Sequence, residues 1–141
     1  MPNAALRVYV KNGISYVWDK DRNKILSSRE YLKYAVRHKK VKNQFLRMED
    51  GLPCMAVGDP MIRPGTITGI IANCAEPHTW TIQVFKKGDA TPLVSEDIVV
   101  STKLLKPYLD VDFEEGDILQ CFASGVDIPF PRGMVEIAWR L

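Results

Sequence analysis

The sequence predicts an all-β fold: an antiparallel β-sandwich or jelly roll with an N-terminal hairpin and arm, and room for one short helix. Three observations predict it. Near the C-terminus Val135, Ile137, Trp139 and Leu141 alternate with Met134, Glu136, Ala138 and Arg140, and strand side chains alternate with period two. Near the N-terminus Asn12-Gly13 separates two alternating runs, and both residues tolerate the positive φ of a tight hairpin turn. Between these ends, from Arg63 onward, short alternating runs are separated by glycine- and proline-containing turns, the texture of sandwiches and jelly rolls.

Taken in order, Leu6, Val8 and Val10 alternate with Arg7, Tyr9 and Lys11 in the first arm of the hairpin. Ile14, Tyr16 and Trp18 alternate with Ser15 and Val17 in the second, and the polar run Asp19–Lys24 turns the chain again. Residues 27–47 are open to two readings. Ser27 and Glu30 have capping-box spacing and Tyr31, Leu32, Ala35 and Val36 fit a helical stripe, whereas Val36, Val41, Phe45 and Leu46 equally suit an extended arm packed on a neighbour. Pro53, Pro60 and Pro64 then punctuate a link. Strands are expected at Thr66–Asn73, from its Thr and Ile content, around Trp80, Ile82 and Val84, which alternate with Thr79, Thr81 and Gln83, and at Leu93–Val100, Tyr108–Phe113 and Ile118–Ser124. Lys87-Gly88-Asp89 and Gly116-Asp117 read as turns, and Gly125–Gly133 as a loop. This divides the chain into a basic hairpin and attachment arm over 1–50 and a sandwich domain over 51–141.

Charge follows the same division. Residues 1–50 hold 12 Lys/Arg against 5 Asp/Glu, and residues 51–141 hold 7 against 12. Such asymmetry suits one end facing an acidic partner, or unlike ends of neighbouring copies attracting each other. Cys54, Cys74 and Cys121 are an odd, widely spaced set, which argues for buried thiols rather than a disulfide framework. No apolar run approaches the ~20 residues needed to span a bilayer. The opening MPNAALRVYVKNG lacks the apolar core of a signal peptide. The expectation is a protein that stays in a cytoplasm unless released within a larger particle, with no membrane partner.

Motifs for chemistry are weak. Asp19, Asp21, Asn23 and Glu30 have the oxygen-ligand spacing of a calcium loop, but Lys24 stands where such a loop needs glycine, and Lys20, Arg22 and Arg29 would repel a cation. Asp110, Asp112, Glu114, Glu115 and Asp117 read as the wet face of a strand running into a turn. Cys74 and His78 lack the second pair that a structural zinc requires. His38 and His78 are the only histidines, and neither a nucleophile elbow nor a phosphate-cradling glycine loop is present. No catalytic residue, cofactor or metal is expected. Arg29, Lys33, Arg37, Lys39, Lys40, Lys42 and Arg47 interleave with Tyr31, Tyr34 and Phe45. Cations with aromatics suit a nucleic acid, and suit an acidic protein surface equally well.

Gly13–Asp19, then Asp21-Arg22-Asn23-Lys24-Ile25-Leu26-Ser27, then Lys42-Asn43-Gln44-Phe45-Leu46-Arg47 resemble the opening of small bacteriophage virion structural proteins. There a strand ending in Tyr-Asp and an Arg-x-Lys-Trp-Leu-Ser run precede Lys-Asn-Gln-Tyr-Leu-Arg and a β-rich domain. This chain has Trp18, Ile25 and Phe45 at the three aromatic positions, and a basic run Arg37–Lys40 in place of a glycine-containing turn. The likeness spans roughly residues 13–75. It implies a non-enzymatic component of a capsid, head fibre or tail that decorates or attaches to the virion. Other virion proteins and copies of itself would be its partners, with a trimer favoured. On this reading Arg37, Lys39, Lys40 and Lys42 make the charged contact and Tyr31, Tyr34 and Phe45 are its apolar anchors. The rival readings are a carbohydrate-binding sandwich module, with Trp80 or Tyr108 stacking on sugar, and a nucleic-acid-binding protein using the basic arm.

Overall fold

The computed structural model describes residues 7–141. Leu6, assigned above to the first strand, lies outside them. Among the described residues eleven strands form one strongly curled sheet in which every ladder is antiparallel. They are β1 (Val8–Lys11), β2 (Ile14–Asp19), β3 (Lys24–Ala35), β4 (Gln44–Phe45), β5 (Arg47–Met48), β6 (Asp59–Pro60), β7 (Gly65–Lys86), β8 (Val94–Lys106), β9 (Val111–Phe113), β10 (Ile118–Ser124) and β11 (Arg132–Arg140). No helix occurs among the described residues, so none there is long and apolar enough to cross a membrane. The chain is all-β.

The hairpin turn is as the residues require, with Asn12 at φ 51° and Gly13 at φ 76°. Residues 27–35 are neither helix nor arm. They are the body of β3, which pairs with β11 from Leu26 to Ala35. Leu32, Tyr34 and Val36 point inward with period two, while Tyr31, Lys33 and Arg37 point out. Ser27 caps nothing; its hydroxyl accepts the Trp139 amide at 2.8 Å.

The path of the chain after β3 closes the curl. The strand order runs β1-β2-β3-β11-β7-β10-β4, while β5 returns to pair with β3. Residues 44–48 therefore bridge the two ends of the central ladder. Leu46 between them is fully buried, and its amide bonds the Cys121 carbonyl at 2.9 Å. Val36, Val41 and Leu46 share one core with Ile67, Ile82, Val84, Leu119, Val135 and Ile137. Position 50 is consequently no boundary: residues 24–48 supply a central strand, the closing bridge and core side chains to the same body.

β7 merges two expected strands. Its residues 65–73 pair with β11 and residues 81–86 with β10, while β8 and β9 lie along its other edge. Pro77 falls at the break in the β7–β8 register between Asn73 and His78, where a residue without an N–H interrupts no bond. One strand thus serves both halves of the curl. Gly65 meets Phe113 so closely that a Cβ there would stand 2.5 Å from the Ala138 carbonyl.

The C-terminal alternation holds only in part. Register shifts fall after Glu136 against β7 and after Ala138 against β3. The bulges turn Ala138 inward beside Ile137, leave Trp139 half-buried against Phe113 and leave Leu141 exposed.

Candidate functional site: a basic groove on the outer sheet face

Directly paired residues of an antiparallel sheet project from the same face, about 5 Å apart from strand to strand. On the outer face this builds one row from Arg47 through Ala35, Arg132 and Asn73 to Lys103, contributed by β5, β3, β11, β7 and β8. The next row runs Lys33, Met134, Ile71 and Leu105. The first row carries three cations, Arg47, Arg132 and Lys103, and beyond Lys33 the second row is an apolar floor. Arg37 and His38 rise along one side as the chain leaves β3, and the whole encloses a groove of about 840 Å³.

Five Lys and Arg side chains line this groove against a single carboxylate, Glu49. Lys33 lies 3.9 Å from Glu49, and Arg47 donates to the Gly51 carbonyl at 2.8 Å. Arg37, Lys103 and Arg132 are in no ion pair among the described residues. A smaller hollow of about 200 Å³, bordered by Tyr31, Gly69, Leu105 and Glu136, continues the groove along the same face.

Of the residues expected to bind a partner, Tyr31 is 53% exposed beside the smaller hollow and Arg37 lines the groove. Lys39, Lys40 and Lys42 are exposed on the loop after β3. That loop is pinned by the Val41–Ile128 bridge, so it stays against the body. One of the expected anchors is spent inside, and another belongs to an aromatic cluster on the outer face. Tyr34 is 2% exposed, and Phe45 packs edge-on against Phe122 and Phe85, with ring centres 4.8 and 6.0 Å away. Tyr34 fills the core beneath the closing bridge, whereas Phe45, paired with Phe122, is half-buried on the outer face. Lys103 and Arg132 escaped the sequence reading because they belong to the acidic part of the chain, and only register brings them to Arg47.

The aromatics assigned to sugar stacking are also engaged. Trp80 is buried. Tyr108 is half exposed, but the Arg22 guanidinium covers its ring at 4.2 Å and its hydroxyl donates to the Asp21 carbonyl at 2.9 Å. His78 Nε2 lies 2.7 Å from the Val126 carbonyl and Cys74 Sγ donates to Glu76. All three cysteines are free and buried.

The acidic residues form a network at the opposite end of β11. Lys24 reaches Asp110 and, at 2.8 Å, Asp112; Arg140 reaches Asp112 at 3.2 Å and Glu114 at 2.8 Å. Burial alone would raise the Asp112 carboxyl, but hydrogen bonds from Lys24 and Thr66 and the charge of Arg140 outweigh it and hold the group below its usual range. Lys24 is raised because the same carboxylates outweigh its own burial. In the β2–β3 turn, Asp19 takes Arg22 at 2.7 Å and Arg29 at 3.4 Å, so cations occupy the carboxylate expected to lead a calcium loop. No cluster of three or more His, Cys, Asp or Glu able to hold a metal occurs among the described residues.

Under the closing bridge lies a buried polar pocket of different character. Burial raises the Asp59 carboxyl, with the adjacent Tyr34 hydroxyl working against that rise. The Tyr34 hydroxyl closes no hydrogen bond of ordinary geometry. Cys54 is pushed up to about 11, chiefly by burial, which keeps it an inert thiol.

No family model and no curated protein matches this chain. Among solved structures, Drosophila melanogaster CENP-C bound to CAL1 is similar at 12% identity and TM-score 0.24, over 98% of this chain and 83% of that one. The Drosophila melanogaster CENP-C cupin domain is similar at 11% identity and TM-score 0.24, over 97% and 76%. A structure described as "CBM4 structure and function" is similar at 12% identity and TM-score 0.32, over 99% and 81%.

Proposed function

We propose that this chain is a non-enzymatic bacteriophage virion structural protein that attaches to a capsid or tail and assembles with copies of itself. The observation that carries this reading is the β1–β2 hairpin at the sheet edge. Val8 is 54% exposed, Val10 69% and Trp18 51%, with Tyr9 and Val17 also exposed. Val8, Val10 and Val17 lie on one face of the hairpin and Tyr9 and Trp18 on the other. No described strand pairs with the outer edge of β1. An exposed apolar strand with unpaired backbone groups is a template for association, and proteins that remain single blunt such edges with charge, proline or bulges. The same hairpin carries the Gly13–Asp19 run that resembles phage virion proteins.

Equilibrium sedimentation tests the reading. The wild type should be an oligomer, and a Val10→Ser/Trp18→Ser chain should keep its melting temperature and run as a monomer. A wild type that stays monomeric up to roughly 100 µM would overturn it.

A further inference from the structure

We infer that the basic groove receives the acidic β9–β10 turn, Glu114–Asp117, of a second copy of this chain, giving a head-to-tail contact. The inference rests on the assembly reading and adds to the hairpin edge a second contact, both being needed for stable association. Both poles lie on one strand. Arg132 opens β11 beside the groove and Arg140 ends it at the acidic network, a separation of roughly 26 Å at the strand rise. At the groove end Arg37, Lys103 and Arg132 have no ionic partner among the described residues. At the other end Lys24 and Arg140 satisfy Asp110, Asp112 and Glu114, while Glu115 is exposed and has no ionic partner among the described residues.

The turn is held rigidly at the surface. Gly116, at φ 85°, has open space where a Cβ would stand, its amide donates to the Met61 carbonyl at 2.7 Å, and the Met61 amide donates to the Asp117 carbonyl at 2.8 Å. The Asp117 carboxylate accepts the Glu114 amide at 2.7 Å and holds the tip in one conformation, which lowers the ordering cost of docking. The apolar floor of Met134, Ile71 and Leu105 offers surface to bury, and the cations around it set register. Two different patches meeting make a heterologous interface, which closes into a ring or propagates.

The test is a charge swap read by sedimentation. Lys103→Glu with Arg132→Glu should weaken self-association about 100-fold, as should Glu114→Lys with Glu115→Lys. The groove variant should keep its circular dichroism and melting temperature, the turn variant should keep its circular dichroism and lose only the modest stability of the exposed Arg140–Glu114 pair, and the chain carrying all four changes should regain association. Wild-type association should also fall as salt rises from about 0.05 to 0.5 M. Association that survives both reversals but is lost in the Val10→Ser/Trp18→Ser chain would overturn the groove contact and keep the assembly reading. Absence of association in the wild type would overturn both. Salt-dependent binding of a single-stranded oligonucleotide, abolished by groove reversal while self-association is unchanged, would give the groove to nucleic acid instead.

Discussion

Lys24 and Asp112 meet at 2.8 Å across 88 residues of sequence, joining the start of β3 to β9. Thr66 donates to the same Asp112 oxygen at 2.8 Å, and Arg140 stands 3.2 Å from it. Three separate strands are thus fastened to one carboxylate.

The pH dependence follows from that arrangement. The carboxyls of Asp112 and Asp19 are held below their usual range. Such groups add stability above the unfolded carboxylate value near 4, and that stability is lost as pH falls through their lower folded values. Asp112→Asn should flatten the acid limb of a chemical-denaturation series run between roughly pH 5 and 2. The Asp112 side chain is 42% exposed, so solvent screens it and the loss near pH 7 should stay below about 1 kcal/mol. An unchanged acid limb would remove Asp112 from the account.

Asp59 has the opposite sign. Burial raises its carboxyl, so its protonated form favours folding below the unfolded value near 4, and that contribution fades as pH rises through the folded value. Asp59→Asn keeps the shape and removes the charge, and should therefore raise the melting temperature at pH 7 while leaving it nearly unchanged at about pH 3. A drop at pH 7 would mean that the carboxylate makes an essential contact in its charged form.

The closing bridge should control the whole fold. Leu46→Ala should cost about 2–5 kcal/mol in urea denaturation, since the side chain is fully buried between β4 and β5 and opens a cavity when truncated. A fragment of residues 51–141 should be largely unfolded by circular dichroism, because β11 loses its whole ladder with β3. A folded fragment would restore the two-part division that the charge distribution suggests.

Local chemistry made part of this legible. Asn12-Gly13 dictates its hairpin through two positive φ angles, and Ile118–Ser124 has the bounds expected of it, set off by the Gly116-Asp117 turn before it. The strand at 27–35 was ambiguous for a physical reason: Tyr31, Leu32, Ala35 and Val36 satisfy a helical stripe, while Leu32, Tyr34 and Val36 satisfy a strand. The ladder with β11 decides between them. Tyr34 carries no local mark of being inside, because it is enclosed only when β3 pairs with β11 and residues 44–48 fold back over the sheet.

By itself the sequence determined the all-β class, the hairpin, most turns and the basic character of the segment after β3, because period, turn chemistry and charge are properties of neighbouring residues. Tertiary structure alone decided which side chains share a surface. Arg47, Arg132 and Lys103 come from segments of unlike charge and stand together only through antiparallel register across five strands. The acidic turn comes to lie at the far end of β11 for the same reason. A one-residue slip in any of those ladders would turn a side chain to the opposite face, so the site exists only once the whole sheet has closed.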